Sequence, residues 1–133
     1  MLTRDDLKGY KYNQIWIQDR FDYIEELKTT IEKITTTLSD MPKGSRKVQD
    51  SMAEKIAELV DSVSKLMDKV VEADKQQKEI LAQLEEVEQP YRTILDKIYI
   101  KGESLVTVAS EMNYTYRDIT RKHGIALNKF EKK

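Results

Sequence analysis

The chain has 133 residues, a length that suits one domain, or one small domain with an extended element. Charged residues make up 35% of it, against an average near 25%, and the apolar residues recur periodically. This pattern is typical of long solvated helices and excludes a disordered chain. Cysteine is absent, which excludes disulfides, thiolate metal sites and cysteine nucleophiles. We expect neither a signal peptide nor a membrane span, and a reducing cytosol suits this composition, so we expect a cytoplasmic protein.

The first predicted helix covers residues 7–38 and carries a heptad pattern. One position of the heptad recurs at Tyr10, Ile17, Ile24, Ile31 and Leu38. Leu27 and Ile34 follow three residues after an isoleucine and complete the apolar seam. Residues 39–45 include Pro42 and Gly44, which predict a loop between this helix and the next.

The second predicted helix runs from about Arg46 to Val87. Its apolar seam consists of Met52, Ile56, Leu59, Val63, Leu66, Val70, Ala73, Ile80, Leu84 and Val87. Gln77 is a polar seam position, and it either fixes the register or marks the level at which the partner helix ends. At about 1.5 Å per residue the two helices would span roughly 48 Å and 63 Å, so the segment Gln76–Glu88 would need another partner.

A short loop between two long amphipathic helices predicts an antiparallel hairpin. A hairpin of two helices buries only one stripe of each, which makes a thin core for its length. We therefore predict that two hairpins pair as a homodimer, in a four-helix bundle. A spacer without a partner of its own is the alternative. Residues 1–89 are accordingly predicted to form a hairpin that oligomerises, and residues 90–133 a separate module.

The segment Pro90–Lys133 predicts a helix-turn-helix. Its short helices are Tyr91–Tyr99 after Pro90, Leu105–Met112 after the cap residue Ser104, and a third that begins at Tyr116 after the cap residue Thr115. Lys101, Gly102 and Glu103 separate the first helix from the second. Asn113 and Tyr114 form the tight turn before the third helix. This arrangement places one helix in a DNA major groove.

The third helix of the module separates into two faces at 100° per residue. Its inward face is predicted to hold Ile119, His123, Ala126 and Phe130, flanked by Tyr116 and Leu127. His123, the one histidine in the chain, is read as a partly buried core residue and not as a metal ligand. The candidate DNA-binding residues are Arg117, Arg121, Gly124 and Asn128 on the outward face, Thr120 at its edge, Lys122 at the rim, and Lys101 before the second helix. Arginine can bind guanine through two hydrogen bonds and asparagine can bind adenine, and either can hold a phosphate instead.

The charge of the chain is distributed unevenly. Residues 1–89 hold 14 Lys/Arg and 19 Asp/Glu, a net charge of −5, whereas residues 90–133 hold 9 and 5, a net charge of +4. A basic segment that coincides with a helix-turn-helix indicates phosphate binding, although a lysine-rich C-terminus is also common by chance. The predicted phosphate contacts are Lys101, Lys122, Lys129, Lys132 and Lys133. Double-stranded DNA is the expected partner.

The run Tyr99–Tyr114, followed by Tyr116 with Arg117 and by the pairs 123–124 and 126–127, resembles sigma-factor region four. With the hairpin and the loop at Pro42, the whole chain is similar to small phage- and prophage-encoded proteins of Gram-positive bacteria, near the ArpU-like regulators of late-gene transcription. The resemblance implies sequence-specific DNA binding and transcriptional control, with Arg117 and Arg121 on the reading helix. A module that binds protein and not DNA would instead have RNA polymerase or another regulator as its partner. This chain departs from the pattern at Val106 and Thr107, where an acidic pair is common, and at Lys122, where an apolar residue is usual.

Two other functions fit the same pattern. A small DNA-packaging subunit of the terminase kind also combines a helix-turn-helix with helical oligomerisation. A protein-binding coiled-coil adaptor would use the module to contact another protein. We do not expect an enzyme, a cofactor or a metal, because the chain has one histidine, no cysteine and no glycine-rich phosphate loop.

Overall fold

The computed structural model describes residues 1–39 and 46–132. The helices in this part of the chain are α1 (Arg4–Ser39), α2 (Arg46–Leu84), α3 (Tyr91–Leu95), α4 (Leu105–Met112) and α5 (Tyr116–Glu131), and a π-helical turn, Asp96–Ile100, continues α3. The predicted all-α fold, a helical hairpin followed by a three-helix module, is confirmed. The predicted loop beyond Ser39 lies outside the described residues. In the described part of the chain, no helix combines the length and apolar character needed to cross a membrane.

Local hydrogen bonds explain where the long helices differ from the prediction. α1 begins at Arg4 and not at residue 7, because the Asp6 carboxylate accepts a hydrogen bond of 2.8 Å from the backbone N–H of Thr3 and caps the first turn. α2 ends at Leu84 and not at Val87. The N–H of Val87 bonds to the Leu84 carbonyl at 2.9 Å, and this tighter turn ends the helix.

Contacts divide the chain into two compact units. The unit that we call the head combines Met1–Gln14 with Glu72–Lys133, and the unit that we call the hairpin is Ile15–Val71. The ends of both long helices therefore pack with the C-terminal helices. The division of roles at residue 89 stays a prediction.

Within the hairpin unit, α1 and α2 pack along one apolar stripe of each helix. Ile24 and Leu27 of α1 are buried, and Leu59 and Leu66 of α2 are half-buried. The Tyr23 hydroxyl donates a hydrogen bond to the Glu58 carboxylate across the pair. The helix α1 continues through its threonine-rich stretch, where the threonine hydroxyls bond to the carbonyl four residues before them.

Within the head unit, the C-terminal end of α2 is packed, as was predicted for the segment that extends beyond α1. Ile80 and Leu84 are each 2% exposed. The Gln83 side-chain amide donates hydrogen bonds to the carbonyls of Leu2 and Phe130, at 2.9 and 2.8 Å, and accepts one of 2.9 Å from the Leu2 N–H. Gln83 thus ties α2 to both ends of the head unit.

Gln77 also has a partner within the head unit. The Tyr10 hydroxyl donates a hydrogen bond of 3.0 Å to the Gln77 side-chain oxygen. α1 therefore still accompanies α2 at this level. Gln77 does not mark the end of the partner helix, and its hydrogen bond to a buried tyrosine favours the role in fixing register.

Candidate nucleic-acid interface

Short polar side chains and one left-handed residue define the helix-turn-helix. The hydroxyl of Ser104 accepts a hydrogen bond of 3.2 Å from the Thr107 N–H and caps α4. At the end of α4, Asn113 adopts a left-handed conformation with φ of 60°, and asparagine tolerates this conformation better than most residues. The Thr115 hydroxyl then accepts a hydrogen bond of 3.1 Å from Asp118 and caps α5. The three predicted boundary features are confirmed.

The apolar side of α5 is fixed in the head core. Ile119 and Ala126 are fully buried, Phe130 is 1% exposed, and Leu127 is 5% exposed. α5 packs against both α3 and α4, as a reading helix must if it is to be held rigidly. Tyr116 departs from the prediction, because it lies in the first turn of α5 and is 58% exposed instead of flanking the core.

The opposite side of α5 exposes both arginines. Arg117 and Arg121 are four residues apart on one face, so they project in the same direction. Within the described residues, neither forms an ion pair or a hydrogen bond with another side chain. Thr120 lies between them and is exposed, although its hydroxyl bonds to the Tyr116 carbonyl at 2.8 Å. Both guanidinium groups are available to a ligand.

Gly124 lies on the same exposed side, in the middle of an unbroken helix. A Cβ atom at this position would meet no heavy atom within 4 Å, so packing inside the chain does not demand a glycine here. The helix continues to Glu131, which excludes fraying at Gly124 as the reason for its presence. The bare backbone leaves room for a ligand to approach α5 closely.

Some of the other predicted contacts are already engaged within the head unit. The Asn128 side-chain oxygen accepts a hydrogen bond of 2.7 Å from Arg4, and Lys129 forms an ion pair of 2.6 Å with Glu88. Lys122 lies over the Tyr114 ring at 5.1 Å, which leaves part of its ammonium group free for a phosphate. Lys101 is exposed and lies 4.0 Å from the Asp96 carboxylate, Lys132 is exposed, and Lys133 lies outside the described residues.

The N-terminus of α1 adds basic residues to the head unit, although these residues were predicted to belong to the hairpin. Arg4 binds the Glu131 carboxylate through its Nε at 2.6 Å and through its backbone N–H at 2.8 Å, and this contact lowers the pKa of Glu131. Lys8 is exposed, and the Lys11 ammonium lies 6.0 Å from the centre of the Tyr99 ring. The sequence did hold a signal, because positions 4, 8 and 11 share one face of a helix.

His123 lies beside this basic cluster and is half-buried, as predicted for a core residue. Its Nε2 is 2.7 Å from the Tyr99 hydroxyl, and the two rings stack at 5.7 Å. Burial lowers the pKa of His123, and the positive charges of Lys8, Lys11 and Arg4 lower it further. The imidazole is therefore neutral at pH 7, and a neutral ring can share a hydrogen bond with the Tyr99 hydroxyl in either tautomer.

We expect the His123 imidazole to titrate below its ordinary pKa of about 6.5. As the pH falls below that value the unfolded chain takes up the proton first, so the folded state loses stability until the pH passes the folded pKa. An NMR titration measures this pKa directly, because the chain has one histidine. Replacing Lys8 and Lys11 by glutamine should move the pKa upward. A wild-type pKa above 6.5 would contradict the assigned environment.

In the described part of the chain, no group of three or more His, Asp or Glu side chains is placed to hold a metal ion. Comparison with protein-family models, curated proteins and solved structures found no match to the chain. The resemblance to phage regulators with a sigma-like module therefore stays a prediction.

Proposed function

We propose that this chain is a sequence-specific DNA-binding protein, of the kind encoded by phages and prophages, that regulates transcription. The observation that carries the proposal is the pair of exposed arginines, Arg117 and Arg121, on a helix whose other side is held by Ile119 and Phe130. Rigid display matters because readout of base edges requires donors that are positioned before DNA binds.

In this proposal α5 enters the major groove with its N-terminal half leading. Arg117 in the first turn and Arg121 in the second bind base edges, with guanine as the preferred base. Thr120 and Gly124 form the surface beside them, where the absence of a side chain at Gly124 permits close approach. Asn128 is held by Arg4, so we assign it a smaller part than the sequence suggested.

Phosphate contacts are supplied by lysines around α5. Lys101, Lys122 and Lys132 contribute from the helix-turn-helix, and we add Lys8 and Lys11 of α1, whose charges act on His123 of α5. Lys129 contributes less, because it must first leave Glu88. Each phosphate contact adds affinity that does not depend on sequence and that weakens with salt.

We infer further that the protein acts as a homodimer, with one head on each half-site. The half-sites should then lie about one helical turn, roughly 34 Å, or a multiple of it apart. Selection of bound sequences from a pool of random duplexes tests the proposal. We expect an enriched motif that contains guanine and a binding constant that falls with salt. Recovery of unenriched sequences, or the absence of any salt-dependent binding, would reject it.

A protein-binding role is the second candidate, because apolar side chains are exposed close to the reading face. Val106 on α4 is 65% exposed and Tyr116 is 58% exposed. Either residue can contact the methyl group of thymine in the groove, or a protein such as RNA polymerase. Binding of purified polymerase that is lost on replacing both residues by serine, together with no binding to DNA, would favour this alternative.

A further inference from the structure

The hairpin unit leaves one apolar seam of α2 exposed among the described residues. The seam consists of Ala53, Ile56, Val60, Val63, Met67 and Val70. Ile56 is 41%, Val60 64% and Met67 62% exposed, so packing against α1 covers only part of these apolar side chains. The positions follow one another at alternating intervals of three and four residues, which is the spacing of a coiled-coil seam. Ile56, Val63 and Val70 also belong to the predicted seam of α2, and they are 37–46% exposed. They therefore lie between the stripe that packs against α1 and an exposed stripe that Ala53, Val60 and Met67 complete.

The surroundings of the exposed seam are uncharged on the side away from α1. The neighbouring positions there are Ala57, Ser64 and Val71, and all three are exposed. The acidic and basic residues of this part of α2 lie at other heptad positions, on the far side of the helix. Small uncharged neighbours permit another helix to approach closely on this side without the desolvation of a charge.

The hairpin unit has two grooves, and their linings differ in charge. One groove is lined by the apolar residues Phe21, Ile24, Leu66, Met67 and Val71, with Val63 and Val70 beside them, and by Glu25 and Lys28 of α1. The opposite groove is bordered by the basic residues Arg20, Lys65 and Lys69, with Trp16, Tyr23, Ile24 and Leu66 between them. Among the described residues the first groove has the more apolar floor, and it runs along the exposed seam.

We propose that the occupant of this seam is α2 of a second copy of the chain, packed antiparallel. This proposal assigns an interface to the homodimer inferred above. It rests on the proposed function only for the arrangement of the half-sites on DNA. In the antiparallel arrangement the layers pair Ala53 with Val70, Ile56 with Met67 and Val60 with Val63 of the second copy. The layers are then similar in volume, whereas a parallel pair would place alanine on alanine and methionine on methionine.

The area agrees with self-association. With Val63 37%, Val70 46% and Phe21 49% exposed as well, the seam together with Phe21 offers roughly 600 Å² of surface per chain. Complete burial of this surface in two copies would amount to about 1,200 Å², the lower limit of stable specific interfaces.

Sedimentation equilibrium of the full-length chain tests the proposal. We expect a dimer at micromolar concentration, and we expect Val60→Glu with Met67→Glu to raise the dissociation constant at least about 100-fold, because two carboxylates per chain would be buried without partners. Lys65→Glu is the matched control, because it adds negative charge on the basic groove and leaves the seam intact. A monomeric wild type at 100 µM, or a seam variant that dimerises like the control, would overturn the assignment.

Cysteine crosslinking determines the orientation, because the chain has no cysteine of its own. A mixture of the Ile56→Cys and Met67→Cys chains should oxidise to a mixed disulfide dimer, and neither chain alone should crosslink as fast. Faster crosslinking of each variant with itself would overturn the antiparallel arrangement. The proposed function is tested separately, since failure of the seam leaves binding to a single half-site, and failure of DNA binding leaves the dimer.

Discussion

Replacing Arg117 and Arg121 by alanine should abolish the preference for the selected DNA sequence over random duplex. Each bidentate contact to a base discriminates by about 1–3 kcal/mol, so the double variant should lose roughly 10²- to 10⁴-fold in specificity. Binding to random duplex should fall much less, because the lysines supply most of that affinity. Fluorescence anisotropy with both duplexes at two salt concentrations measures the two effects together.

Two controls sharpen this experiment. Lys8→Gln with Lys11→Gln should weaken binding to both duplexes alike and reduce the salt dependence by about two phosphate contacts. Arg20→Ala removes an arginine from the hairpin unit, where it lies 4.9 Å from the Trp16 ring, and should change neither quantity. Unchanged discrimination in the double arginine variant would show that another face reads the DNA, or that no face does.

Replacing Phe130 by alanine should destabilise the head unit by about 3–5 kcal/mol, because the side chain is 1% exposed and its removal leaves a cavity. The effect reaches α5 directly. The Phe130 carbonyl accepts a hydrogen bond of 2.8 Å from Gln83, so the backbone of this residue joins the end of α5 to α2. We expect faster hydrogen exchange of the α5 amides and weaker DNA binding, even though every proposed DNA contact is retained.

Tyr116→Ala is the matched control, since it removes another aromatic side chain from the same helix at a position that is 58% exposed. Its amide exchange should stay close to that of the wild type. Equal exchange rates in the Phe130 and Tyr116 variants would contradict the view that the C-terminal end of α5 is held by the head core. The comparison separates the rigidity of α5 from the chemistry of its exposed face.

The π-helical turn after α3 lies outside what pattern reading can predict. The sequence predicts one helix, Tyr91–Tyr99, and the apolar residues within it are buried as expected. The Lys101 N–H bonds to the Asp96 carbonyl at 3.0 Å, five residues back, and Gly102 then takes φ of 73°. Ile98 and Tyr99 lie in this wider turn and are both buried.

The helices, their caps and the two faces of α5 follow from the sequence itself. Ser104 and Thr115 cap the backbone within a few residues of themselves, and the periodic apolar residues decide which side of each helix is buried, so both are local properties. The tertiary structure alone decides which polar residues are engaged. Arg4 reaches Glu131 and Asn128 across more than 120 positions of the chain, and such long-range contacts depend on how the helices pack. For the same reason, the basic residues Arg4, Lys8 and Lys11 of α1 lie near α5 only in the folded chain.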